Sequence, residues 1–136
     1  MQLSRKADYA LRAVKHLASL PGGRRGSINA IAVAEAVPRE FLAKILKDLT
    51  RGGILTSFQG AAGGYRLAAP PGQISFLDVI EAVDGPVHLN LCTEDGDIAC
   101  DQAGTCRMRG FWVTQERTLR RALAAHSVGR YRKRRQ

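Results

Sequence analysis

No stretch of the 136-residue chain contains the ~20 consecutive apolar residues that a membrane-spanning helix needs. No glycine motif follows a strand-like run in the manner of a nucleotide-binding fold, and no Ser, His and Asp set suggests a catalytic triad. No internal repeat is present, so a solenoid or array is excluded. No two cysteines have the CxxC spacing of paired zinc ligands. Residues 67–106 lack Lys and Arg altogether. The first residues, Met1-Gln2-Leu3-Ser4-Arg5-Lys6, lack the unbroken apolar core of a secretory signal, so a cytoplasmic chain with no membrane partner is expected. These absences leave little room for an enzyme, and neither a catalytic residue nor a small-molecule substrate is expected.

What is present is an ordinary globular balance, 45% hydrophobic and 24% charged, long enough for one domain with an appendage. The net charge of +9 is unevenly spread. Residues 1–66 carry 11 basic and 4 acidic side chains, and residues 107–136 carry 10 and 1. Between them, residues 67–106 carry 7 acids and all three cysteines, Cys92, Cys100 and Cys106. Two basic blocks of this size attract polyanions, of which nucleic acid is the commonest inside a cell.

Periodicity orders the chain. Leu3, Ala7, Ala10, Leu11, Val14, Leu17 and Ala18 recur at helical spacing, predicting a helix of about five turns that ends at Pro21-Gly22-Gly23. Ser27 is placed to cap a short helix, with Ile28, Ile31, Ala32 and either Ala34 or Glu35 inward. Val37-Pro38 breaks it, and Pro38 suits the first turn of the next helix. That helix runs to about Arg51, with Phe41, Leu42, Ile45, Leu46 and Leu49 inward and Arg39, Lys44, Lys47 and Arg51 outward. Residues 54–58 and 65–68 read as strands joined by the glycine-rich loop 59–64. A fourth helix, capped by Ser75, is expected at about 75–83. Residues 85–106 have no period. Residues 107–126 regain one, with Trp112, Leu119, Leu123 and His126 on one stripe and Arg117, Arg120 and Arg121 opposite. So long and one-sided a helix is expected to pair with a second copy of itself.

The expected fold is therefore mainly α with a small β-hairpin wing: a winged helix-turn-helix plus a long C-terminal dimerisation helix. In such a unit the second helix enters the major groove of duplex DNA, and the hairpin tip approaches phosphates or the minor groove. Arg39, Lys44 and Lys47 supply donors on the helix. Ser27 and Pro38 stand where the two helices begin, and Ser57, Gln59, Gly60 and Gly63 belong to the wing. Taken singly, each lysine is more readily the wet face of a core helix; the order of elements points to promoter DNA.

The cysteines read Cys92-x7-Cys100-x5-Cys106. Thiolates hold iron–sulfur clusters or zinc, and ligation would order a loop of this length. Redox-sensitive thiols are the alternative. Three thiols leave one position open. His88 would complete a zinc site, which makes a zinc-stabilised DNA-binding module a rival to be weighed, and Glu94, Asp95, Asp97, Asp101 and Asp8 are further candidates. A cluster-based redox protein is the remaining alternative, disfavoured by the missing nucleotide motif.

Several segments in order carry a resemblance: Met1-Gln2-Leu3-Ser4 through Tyr9-Ala10-Leu11-Arg12-Ala13, Leu46-Lys47-Asp48-Leu49, Gly63-Gly64-Tyr65-Arg66-Leu67, Asp78 through Pro86, and the three cysteines. Over residues 1–126 the chain resembles the Rrf family of dimeric winged-helix regulators, whose branches include IscR and NsrR. The resemblance implies a homodimer formed through the last helix and an iron–sulfur cluster on the three cysteines, four-iron preferred over two-iron. In the IscR branch a histidine stands three residues after the last cysteine; here that residue is Arg109. In the NsrR branch an aspartate of the first helix of the other chain completes the site, which matches Asp8 of the partner subunit. The resemblance thus implies a regulator, expected to be a repressor, whose promoter affinity follows redox state, nitric oxide or iron supply. The chain departs from the family's pattern in its longer first cysteine gap, in Ala43 where a base-reading glutamate occurs, and in Gln59 where a minor-groove arginine occurs. The expected division is 1–84 for the DNA-binding domain, 85–106 for the cluster-binding loop, 107–127 for the dimerisation helix and 128–136 for a basic, disordered tail.

Overall fold

A computed structural model describes residues 1–94, 100–102 and 104–132 of the chain. Helix α1 (Arg5–Ala18) begins where the Ser4 hydroxyl accepts the Ala7 N–H at 2.9 Å. It has 14 residues, about four turns rather than five, and Leu3 lies outside it. The helix stops at Ser19, whose N–H and hydroxyl both donate to the Lys15 carbonyl. Pro21–Gly23 forms a separate turn.

Helix α2 (Ile28–Glu35) is capped by Ser27, whose hydroxyl accepts the Ala30 N–H at 3.1 Å. It ends at Ala36 in the left-handed conformation, φ 53°. Of the two candidates for the last inward position, Glu35 is buried and Ala34 exposed, because Glu35 pairs with Lys15 of α1 at 3.0 Å. Helix α3 (Arg39–Arg51) follows, with Pro38 at its cap rather than inside the first turn. Leu42, Ile45, Leu46 and Leu49 are fully buried against α1 and α2. Burying a side chain of this size stabilises by about 1.5–3 kcal/mol. Phe41, expected inward, is 40% exposed and packs edge-on against Tyr9 instead. Lys6 of α1 pairs with Asp48 of α3, and this bond and charge hold the Asp48 carboxyl below its ordinary range.

Strands β1 (Leu55–Phe58) and β2 (Gly64–Leu67) form the antiparallel hairpin, in register Leu55 to Leu67 and Phe58 to Gly64. A further bridge joins Gly26 to Tyr65, so the segment before α2 runs beside β2. Helix α4 (Phe76–Asp84) starts in a reciprocal cap: the Asp78 N–H donates to Ser75, and the Ser75 N–H donates to Asp78, each at 3.0 Å. It packs on α1, α3 and α5.

Helix α5 (Arg109–Ala125) buries no residue fully. The face it turns to the body carries Trp112, Val113, Glu116, Arg120 and Leu123, all half-buried. Arg120 was expected on the outer face; it points inward because Glu81 of α4 takes its guanidinium. Leu119, expected on the inner stripe, is 38% exposed and Phe111 58% exposed. Residues 128–131 also differ from the expected free tail. They form a turn in which Val128 is 2% exposed, its N–H donating to the Ile74 carbonyl at 2.9 Å. Phe76 N–H donates to the His126 carbonyl, and Tyr131 packs on the Phe76 ring. Residues 133–136 of that tail lie outside the described residues.

Candidate nucleic-acid interface and cysteine loop

The outer face of α3 is polar because its inner face is consumed by the core. Pro38, Arg39, Lys44 and Lys47 are all exposed there. Arg39 is held in place: its Nε donates to Asn29 Oδ1 of α2 at 2.7 Å, which leaves the terminal nitrogens for an outside acceptor. Asn29 was missed by sequence reasoning. A polar residue on the wet side of a short helix carries no signal until α2 and α3 are placed together. Ser27 is exposed at the cap of α2, with its hydroxyl engaged in capping.

At the wing, Ser57, Gln59 and Gly60 are exposed, Gly63 is half-buried, and Gln59 and Gly60 lie in the turn between the strands. The Phe58 ring is flanked by two guanidinium groups, Arg25 at 3.6 Å and Arg66 at 5.0 Å from its centroid. Any larger residue at Gly26 would force its core neighbours to shift. An added Cβ would stand 2.5 Å from Leu17 Cδ2 and 3.3 Å from Leu20 Cδ1 in the core.

The acidic segment after α4 is tied down by two glutamates. Glu81 Oε2 accepts the Val87 N–H at 2.8 Å and Arg120 NH1 at 2.7 Å, and Arg120 also reaches the Val87 carbonyl. Glu116 Oε1 accepts the Leu89 N–H at 3.0 Å and lies 3.2 Å from His88 Nδ1. A carboxylate only accepts, so the His88 tautomer that carries Nδ1–H is selected. Burial raises both glutamates, but hydrogen bonds from Arg120 and Val87 to Glu81, and from Thr93, Leu89 and His88 to Glu116, outweigh it. Both stay ionised below the usual carboxylate range. A polar cavity of about 540 Å³ lies between these groups, Pro86 and Thr93. Glu116 is the sole acid of residues 107–136, and that isolation was the available sequence signal.

Cys92 sits in the turn Leu91–Thr93, whose Cys92 carbonyl accepts Arg109 Nε at 3.2 Å. Cys100 and Cys106 are, like Cys92, half-buried free thiols. Among the described residues of one protomer, no three His, Cys, Asp or Glu groups are gathered as a metal would need. By donor chemistry the set still fits an iron–sulfur cluster: three unpaired thiols on one span, with a carboxylate to come from elsewhere. Asp8 is half-exposed on α1, pairs with Arg12 at 2.9 Å, and lines a surface depression with Gln2, Leu3, Arg5 and Tyr9. Glu94 and Asp101 are exposed, whereas Asp95 and Asp97 lie outside the described residues. His16 lies 3.9 Å from buried Glu35, and His126 Nδ1 3.1 Å from the Ala122 carbonyl. Among the described residues, no helix is long and apolar enough to cross a membrane.

Solved structures share this fold. CymR (YrzC), the global cysteine regulator of B. subtilis, superposes with a TM-score of 0.75 at 23% identity, covering 98% of this chain and 99% of that one. The oxidized form of Staphylococcus aureus CymR gives 0.75 at 23%, covering 100% and 99%. T. potens IscR gives 0.74 at 22%, covering 94% and 83%. At these identities the likeness establishes the architecture, a winged helix-turn-helix followed by a long helix. The sequence itself matches the Rrf2 family, described as iron-dependent transcriptional regulators, over residues 3–130. The chain belongs to the Rrf2 family: it is a transcription regulator rather than an enzyme, of the kind that binds double-stranded DNA as a dimer.

Proposed function

We propose that this regulator holds an iron–sulfur cluster on Cys92, Cys100, Cys106 and Asp8 of the partner subunit, and that the cluster sets its grip on promoter DNA. The observation that carries the reading is the family match, which spans all four residues and describes iron-dependent regulators. The three free, half-buried thiols support it. When bound, the cluster would supply a centre that changes charge and ligation with oxidant, nitric oxide or iron supply. Oxygen is a harder and weaker partner for this metal than thiolate, so a carboxylate ligand suits a labile sensor.

The protein's own residues provide the coupling. Asp8 belongs to α1, which packs directly on α3 and α4. Glu81 ties the start of the cysteine loop to α4, and Glu116 ties it to α5. Helix α5, with Phe111 and Leu119 exposed, is the surface for the second copy. A loop that tightens or loosens therefore pulls on the dimer helix and on the DNA-binding unit together. Two recognition helices must meet half-sites about 34 Å apart, so small changes in their spacing matter. A coupling of about 1–3 kcal/mol changes occupancy some 5- to 150-fold. Arg39, Lys44 and Lys47 would contact the major groove. Ser27, Pro38, Ser57, Gln59, Gly60 and Gly63 would border it and the flanking phosphates.

The experiment is anaerobic purification followed by visible spectra, iron and sulfide analysis and native mass spectrometry. Duplex binding is then measured before and after exposure to oxygen or nitric oxide. Brown, iron-loaded dimer with state-dependent affinity is expected, and Asp8→Ala should alter the spectrum without unfolding the chain. Colourless protein with one zinc per chain would favour the zinc module. Iron-free protein whose DNA affinity ignores every oxidant would overturn the reading.

A further inference from the structure

Several contacts at the wing converge on Arg25, a residue outside both the recognition helix and the hairpin. Its guanidinium carbon lies 3.6 Å from the centroid of the Phe58 ring, and its NH1 donates to the Ala62 carbonyl at the wing tip at 2.7 Å. The adjacent Gly26 exchanges both backbone hydrogen bonds with Tyr65, at 2.8 and 2.9 Å. Arg25 is thus carried on a third, strand-like edge beside β2 and fastened to the tip of a hairpin that starts elsewhere in sequence. The side chain is exposed. Stacking uses the flat face of a guanidinium, and the Ala62 bond uses one of its five N–H groups. The others meet no protein acceptor among the described residues.

The tip itself needs a cation from outside. Residues 59–64 read Gln-Gly-Ala-Ala-Gly-Gly and carry no charge. A tip of that composition approaches a polyanion closely but cannot itself neutralise it; the hairpin's own cation, Arg66, stands back on β2. Arg25, pre-oriented by ring and carbonyl, supplies the missing charge at little cost in side-chain entropy. We propose that Arg25 is a DNA-contacting residue of this regulator, a cation held at the wing tip toward the duplex backbone, with Phe58 as its positioning residue. This rests on the DNA-binding reading and adds a source of charge for the uncharged tip.

The test uses the full-length chain and duplexes enriched from a random-sequence pool by the wild-type protein, with affinity measured across a salt series. Arg25→Ala should bind about tenfold more weakly and lower the slope of log affinity against log salt by about one. Arg25→Lys should keep the slope and lose part of the affinity. Phe58→Leu should weaken binding with the slope unchanged, and Arg130→Ala, exposed in the turn after α5, should behave as wild type. Loss equal across A·T- and G·C-flanked duplexes places the contact on phosphate, while loss confined to A·T flanks extends it into the minor groove. A lower melting temperature with affinity and salt slope unaltered would show that Arg25 merely braces the hairpin, and would overturn the proposal alone. A wild-type chain that enriches no duplex would overturn the DNA-binding reading and this one with it.

Discussion

Replacing Gly64 by alanine strikes the seam that joins the wing to the segment before α2. Gly64 has φ +128°, a conformation L side chains rarely adopt, and its added Cβ would stand 2.8 Å from the Gly26 carbonyl oxygen. Backbone held in so sparse a region costs about 1–3 kcal/mol. The oxygen cannot yield freely, because it accepts the Tyr65 N–H at 2.9 Å. Losing that bond adds about 0.5–1.5 kcal/mol. Together the penalty is about 1.5–4.5 kcal/mol, a large share of the 5–15 kcal/mol typical of a domain. For a chain of this size it corresponds to a fall in Tm of about 5–22 °C. Circular dichroism melts at one fixed protein concentration measure it, since a dimer's Tm depends on concentration. Gly72→Ala is the control: no atom lies within 4 Å of its added Cβ and its φ is ordinary, so a change within about 0.5 kcal/mol is expected. Gly64→Ala melting with the control, with duplex binding intact, would refute the claim that this seam sets the wing.

Two further outcomes follow from the bonds around α4 and α5. Glu116 and Glu81 titrate below their ordinary value of 4.5 in the folded chain, so the unfolded chain binds more protons just below that pH. Their contribution is complete above about 4.5 and is lost as pH falls through the lowered folded values. Urea melts across acid pH should show Glu116→Gln with a shallower acid loss than wild type; equal slopes would remove Glu116 from the account. Ending the chain after His126 deletes Val128 from the core and the partner of the Ile74 carbonyl. About 1.5–3 kcal/mol should be lost with the buried valine, read as a lower denaturation midpoint, whereas a free tail would leave it unmoved.

Much of this protein was legible from periodicity and caps, because those signals are local. Ser27 and Ser75 cap the helices they precede, and Leu42, Ile45, Leu46 and Leu49 recur at the spacing that buries one helix face. The glycine-rich stretch between two short β runs marked the hairpin, and the order of elements marked the DNA-binding unit. The inward turn of Arg120, the clasp of Glu116 on His88 and Leu89, and the stacking of Arg25 on Phe58 were beyond such reading. Each depends on a partner many residues away, and a polar side chain looks the same in sequence whether it meets water or a distant carboxylate. The same holds for Val128, one apolar residue in a basic run, buried because α1 and the turn Pro71–Gln73 leave room for it. The chain by itself determined which segments become helices, strands and breaks, since capping, alternation and glycine act within a few residues. Only tertiary structure decided which charges face outward to DNA and which bind the cysteine loop to the body, since that choice depends on packing between remote elements.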